Sequence, residues 1–203
     1  MTLGLLFLAY GLGSIPTAVW VSKLFFGVDV RTLGSGNAGA TNVARTLGWK
    51  AALPVVVVDV GKGALAAALP KLWGESFPVW LPLACAAAAV LGHTFPVFAG
   101  FAGGKGVATA GGGLLVLAPG LVGMAAGVWL VVVLATRIVS LASLAAGLAL
   151  AVAAFAFPNL SPWGMKPLAA ALCLFVFWTH RKNIRRLLSG QEPRFAFGKP
   201  KSS

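Results

Sequence analysis

Acidic residues are the scarcest class in this 203-residue chain: Asp29, Asp59, Glu75 and Glu192 stand against 16 lysines and arginines. Four scattered carboxylates cannot cluster around a divalent ion, and His93 and His180 are too few and too far apart for a zinc site. A metal-dependent phosphotransfer to lipid alcohols is therefore disfavoured, and no cofactor is expected. Charged residues of both signs make up only 10% of the chain, too little to cover a soluble domain of this length. The two cysteines, Cys85 and Cys173, lie far apart in apolar runs and read as small buried hydrophobes. Strict alternation of polar and apolar residues is also missing. Runs such as 65–69 and 148–157 are continuously apolar, which excludes a transmembrane β-barrel.

What is present is hydrocarbon: 59% of the residues are hydrophobic. The apolar runs reach the length that crosses a bilayer as helix. The expected architecture is an all-α, polytopic membrane protein, one domain over residues 1–203. Seven spans are expected, near 2–24, 51–71, 79–92, 107–118, 120–136, 139–157 and 166–187. The first apolar stretch lacks a basic n-region and a small-residue cleavage site, so it reads as a span and not a removable signal. The third and fourth are short and need tilt, thinning or buried ends. With this count one side carries Lys23, Arg31, Arg45, Lys50, Lys105, Arg137, Arg181, Lys182, Arg185, Arg186, Arg194, Lys199 and Lys201, and the other only Lys71 and Lys166. The positive-inside rule then puts the N-terminus outside and the C-terminus in the cytoplasm. The net charge of +12 is explained by loops beside anionic headgroups, and no aromatic-plus-basic soluble face suggests nucleic acid. Asp59 and Lys62, three residues apart in the second span, read as a self-neutralising pair or as support for a site. Pro16 reads as a tolerated kink in the first span.

Three polar segments interrupt the apolar sequence, all on the expected cytoplasmic side, which favours a single site on that face. The first runs from Gly34-Ser35-Gly36-Asn37 through Ala38-Gly39-Ala40-Thr41-Asn42 to Arg45. Its glycines allow a nest of inward N–H groups, its small polar side chains add neutral donors, and Arg45 adds a fork for phosphate oxygens. The second is Gly92-His93-Thr94-Phe95-Pro96 followed by Gly103-Gly104-Lys105-Gly106. It lacks Walker spacing and a hydroxyl residue after the lysine, so it is no NTPase loop. Two exposed N–H groups, a point charge and a following helix start still suit a phosphate. The third is His180-Arg181-Lys182-Asn183-Ile184-Arg185-Arg186-Leu187. Its cations suit headgroups, whereas His180 and Asn183 share a helical face that headgroup binding does not explain. No nucleophile elbow is present. Neither histidine is followed five residues later by aspartate, so the dyad of many glycerolipid acyltransferases is absent.

These segments, in this order, resemble the bacterial acyl-phosphate:glycerol-3-phosphate acyltransferase family, usually called PlsY. Smaller echoes are Gly13-Ser14-Ile15-Pro16, Asp59-x-x-Lys62-Gly63, Thr136-Arg137-x-x-Ser140-x-x-Ser143 and a late Glu192. Ala38 stands where proline is often expected, and Ala102 where lysine is. The resemblance implies acyl transfer from acyl phosphate to the 1-hydroxyl of glycerol 3-phosphate, giving lysophosphatidic acid and phosphate. It implies the bacterial cytoplasmic (inner) membrane, membrane lipids as surroundings and no obligate protein partner. The expected roles follow from it. Gly103, Gly104 and Lys105 hold the glycerol 3-phosphate phosphate. Ser35, Arg45 and Asn183 hold the acyl phosphate. Gly34, Gly36, Asn37, Thr41 and Asn42 shape or line the first loop, with His93 and Ser143 as further binding residues. His180 is the default general base, with a substrate phosphate oxygen as the alternative. Competing readings are an acyltransferase using acyl-CoA or acyl carrier protein, and an organic-phosphate transporter.

Overall fold

The computed structural model describes residues 1–74 and 76–195. Glu75, Lys199 and Lys201 of the charge count lie outside them. Among the described residues the regular structure is all helical. The ten helices are α1 (Thr2–Gly13), α2 (Thr17–Phe26), α3 (Ala40–Thr46), α4 (Trp49–Leu72), α5 (Leu81–Thr94), α6 (Val107–Leu117), α7 (Pro119–Thr136), α8 (Val139–Ala156), α9 (Met165–Thr179) and α10 (Arg181–Leu188). Five apolar segments are long enough to cross a membrane: Thr2–Phe26, Trp49–Leu72, Leu81–Ala99, Pro119–Thr136 and Val139–Ala156. Val107–Leu117 and Met165–Thr179 are apolar but shorter. Eleven residues of α6 rise only about 16 Å, roughly half the hydrocarbon thickness.

Two of the expected spans are broken. The first ends as helix at Gly13 and restarts at Thr17. Pro16 does more than kink it, because its ring excludes the carbonyl of the preceding turn and it has no N–H to give. The last is divided at His180, the residue between α9 and α10.

The chain forms two compact units. In the first, α1 packs on α5 and α4, and α4 also carries α2, α3 and α5. Glycines let these helices meet backbone to backbone. A methyl added at Gly112 on α6 would strike the Val60 carbonyl of α4, and one at Gly63 on α4 would strike the Thr109 carbonyl of α6. Leu5, Ala9, Ala66, Leu81, Cys85 and Ala89 form a core between α1, α4 and α5. In the second unit α8 packs against α7 and α9, and α10 follows α9. Large apolar side chains remain exposed along α7 and α8, including Val131, Leu134, Leu148 and Phe155, as lipid-facing surfaces require.

Candidate functional site

The first polar loop, between α2 and α3, is built around one amide. Asn42, on α3, is 1% exposed. Its Oδ1 accepts from the Ser35 N–H at 3.0 Å, and its Nδ2 donates to Val30 O at 3.0 Å and Leu33 O at 2.9 Å. All the ordinary bonding capacity of Nδ2 is used. Asn42 therefore ties the loop's backbone together. Gly34, at φ +55°, lies so close that a Cβ there would come within 2.5 Å of the Asn42 Oδ1. Only glycine meets both conditions at once.

Part of the expected N–H nest is spent internally. Ser35 N–H goes to Asn42, Gly36 N–H to Leu33 O and Gly39 N–H to Asn37 O. In the second loop Gly103 N–H donates to Thr94 O at 3.2 Å and Gly104 N–H to His93 O at 3.1 Å. These groups are not exposed donors, contrary to the sequence expectation. Backbone donors in a folded turn pair first with nearby backbone and side-chain acceptors. The polar side chains of these loops are exposed Ser35, half-buried Asn37, Thr41 and Arg45, and half-buried Lys105 at the approach to α6.

The two loops of the first unit are joined. Arg31 Nη1 donates to Ala99 O at 2.8 Å and lies 3.4 Å from Ala102 O, while its Nε and Nη2 hold both oxygens of Asp29. Lys23 adds a 3.2 Å ion pair to Asp29. The Arg31 hydrogen bonds hold the Asp29 carboxyl well below the usual carboxylate range. The Ala38 carbonyl lies against Gly104, leaving no room for a side chain there. Beneath Gly104 is His93, at the end of α5 and nearly buried.

In the second unit one carboxylate gathers the polar side chains. Glu192 Oε1 accepts from Ser140 Oγ at 2.7 Å and Asn183 Nδ2 at 2.6 Å, and Oε2 accepts from Arg186 Nε at 2.7 Å. Burial opposes its charge, but the bonds from Arg186, Asn183 and Ser140 together outweigh burial and hold its pKa below the ordinary value. A carboxylate acceptor fixes the Asn183 amide with Nδ2 toward Glu192. His180 is 3% exposed, with Nδ1 2.8 Å from Val176 O. A carbonyl only accepts, so the ring proton is on Nδ1 and the neutral ring keeps its basic lone pair on Nε2. Ser143 Oγ turns back to Val139 O at 3.0 Å and receives a long 3.4 Å contact from Trp129 Nε1. Arg181 stacks on Trp178 with 4.7 Å to the ring centroid.

The sequence reading missed an apolar groove of about 420 Å³ in the second unit, lined by Leu141, Leu144, Leu148, Phe177, Ile184 and Leu187. Leucines three and four apart on α8 were the available signal, obscured in a chain that is apolar nearly everywhere.

Residues 3–190 match the family described as glycerol-3-phosphate acyltransferase. A curated glycerol-3-phosphate acyltransferase of Geobacillus kaustophilus is 47% identical over 194 residues, covering 96% of each chain. One from Enterococcus faecalis is 43% identical over 201 residues, covering 96% of this chain and 92% of the relative. Among solved structures, PlsY (YgiH), an integral membrane glycerol 3-phosphate acyltransferase, is similar in two forms. Its glycerol 3-phosphate form superposes with a TM-score of 0.86 at 42% identity, covering 96% of each chain. Its lysophosphatidic acid form gives 0.83 at 41%, covering 96% of this chain and 95% of the other.

Proposed function

The chain belongs to the PlsY family of glycerol-3-phosphate acyltransferases, and from that premise we propose that it moves an acyl group from acyl phosphate to the 1-hydroxyl of glycerol 3-phosphate. The products are lysophosphatidic acid and inorganic phosphate. The observation that carries this reading is the set of rigid polar loops in the first unit. They carry Ser35, Arg45 and Lys105 on turns tied by internal hydrogen bonds from the N–H groups of Ser35, Gly36, Gly39, Gly103 and Gly104. Such a frame orients phosphate groups without reorganising, which is where much of the rate of an already activated donor can arise. No metal step is invoked.

Lys105, with the turn at Gly103 and Gly104, is assigned to the phosphate of glycerol 3-phosphate. Ser35 and Arg45 are assigned to the acyl phosphate and its developing charge. His180 is assigned as general base through Nε2; its fixed Nδ1–H supports that role. The apolar groove of the second unit offers a surface for the acyl chain. The seven-span topology, with the N-terminus outside, the C-terminus in the cytoplasm and the chemistry at the cytoplasmic face of the bacterial inner membrane, is supported by the Lys and Arg distribution. Residues 1–203 are read as one acyltransferase domain, supported by a family match that runs through both units.

A donor panel tests the reaction. Purified protein is given glycerol 3-phosphate with palmitoyl phosphate, palmitoyl-CoA or palmitoyl acyl carrier protein. Lysophosphatidic acid from palmitoyl phosphate alone is the expected result. Product from a thioester donor at equal or greater rate contradicts the donor assignment. The Lys105→Ala variant is expected to raise the KM for glycerol 3-phosphate.

A further inference from the structure

Three contacts converge on His93. Its backbone carbonyl accepts the Gly104 N–H at 3.1 Å. Its ring edge at Nε2 and Cε1 borders Gly104 so closely that a methyl there would strike both atoms. On the other edge, Nδ1 is buried without a close hydrogen bond and lies nearest the carboxylate of Asp59, 3.5 Å from its Oδ1. Main chain and ring of one residue thus underlie the turn that leads into Lys105.

Asp59 is itself held in place. Lys62 Nζ lies 2.8 Å from Asp59 Oδ1 and donates at 2.8 Å to Ile15 O, in the gap between α1 and α2. Thr17 Oγ1 donates to Asp59 Oδ1 at 3.3 Å. The pair is almost fully buried, each side chain 3% exposed. Charge neutralisation needs only the two partners. It does not account for an imidazole aimed at the same carboxylate oxygen from a third helix. A carboxylate beside one ring nitrogen sets which nitrogen carries the proton and how the ring is turned.

We propose that Asp59 is a positioning residue: it fixes the His93 ring with Nδ1–H toward its carboxylate, and through the ring it fixes the Gly104 backbone that presents Lys105 to substrate phosphate. The functional half of this rests on the assignment of residues 103–105 to glycerol 3-phosphate. Lys62 has a different part, adding a second donor to the Ile15 carbonyl, which at the break also accepts the Thr17 N–H at 3.0 Å. Thr17 and Lys62 hold the carboxylate still while His93 reads its position.

The chain has only two histidines, so protein labelled with ¹⁵N-histidine shows the ring signals of His93 and His180 alone, and His93→Gln tells them apart. The wild type is expected to show His93 as a single tautomer protonated at Nδ1. Asp59→Asn leaves a buried ammonium uncompensated and can unfold the chain. The decisive variant is therefore Asp59→Asn with Lys62→Met, which removes both charges. In the folded double variant His93 is expected to show mixed tautomers. Its KM for glycerol 3-phosphate is expected to rise about tenfold, with kcat within about twofold of wild type. Unchanged ring signals, or an unchanged KM while Lys105→Ala raises it, would show that Asp59 only neutralises Lys62 and would overturn the proposal. If Lys105→Ala leaves the KM unchanged, the phosphate assignment fails and takes the functional half with it. The ring signals still decide the coupling of Asp59 to His93.

Discussion

Two polar clusters, one in each unit, immobilise their residues by opposite means. In the first, the loop before α3 hangs on a neutral amide, Asn42, which ties three backbone groups together without any charge. In the second, the charged carboxylate of Glu192 collects Ser140, Asn183 and Arg186. Neutral bonds of this kind are indifferent to pH and salt, whereas a carboxylate hub holds only while it is ionised. The difference teaches where each cluster is vulnerable: the Asn42 loop to loss of shape, the Glu192 hub to loss of charge.

The sharpest way to break the comparison is Asn42→Ala. Three hydrogen bonds go, each contributing about 1 kcal/mol, and of the groups left behind the Val30 carbonyl is buried and the other two partly so. Turnover is expected to fall on the order of 100-fold, at every pH tested, with the initial rate as the readout. Glu192→Gln comes next. A carboxyl held below its ordinary value of 4.5 stabilises the fold fully above that value, and the contribution is lost as pH falls through the lower native value. The wild type is expected to lose melting temperature below pH 4.5. The variant is expected to melt lower at pH 7 and to show a flatter decline in acid. Asp29, also held low, remains in the variant and gives the residual slope. Arg31→Gln removes the tether between the two loops and is expected to raise the KM for glycerol 3-phosphate a few-fold with little change in melting. Smallest is Lys23→Gln. Lys23 is 53% exposed in its ion pair with Asp29, and pairs of that kind contribute about 0–1 kcal/mol. Melting is expected to be unchanged at physiological salt.

Much of this was legible in the sequence. The apolar runs gave the helices, and the residue types in the polar segments marked the loops and the third segment at His180. The misreading of the polar loops has one cause. Glycine-rich turns were read as offering their N–H groups outward, but sequence does not say which acceptors fold back onto them. Only the folded position of Asn42, His93 O and Thr94 O shows that the donors at Ser35, Gly103 and Gly104 are already used. Pro16 carried the signal for a break. What sequence spacing could not show was that Lys62, 46 positions away, takes the neighbouring Ile15 carbonyl. Asp59 and Lys62 were recognisable as a helical pair, yet the approach of His93 to the same oxygen depends on how α4 and α5 pack.

The most direct measurement is the stoichiometry of the reaction in chelator-treated protein supplied only with palmitoyl phosphate and glycerol 3-phosphate. Phosphate released and lysophosphatidic acid formed should rise together, one for one, and both should stop when glycerol 3-phosphate is withheld. Phosphate release that continues without the acceptor, or no product until a thioester donor is added, would contradict transfer from acyl phosphate.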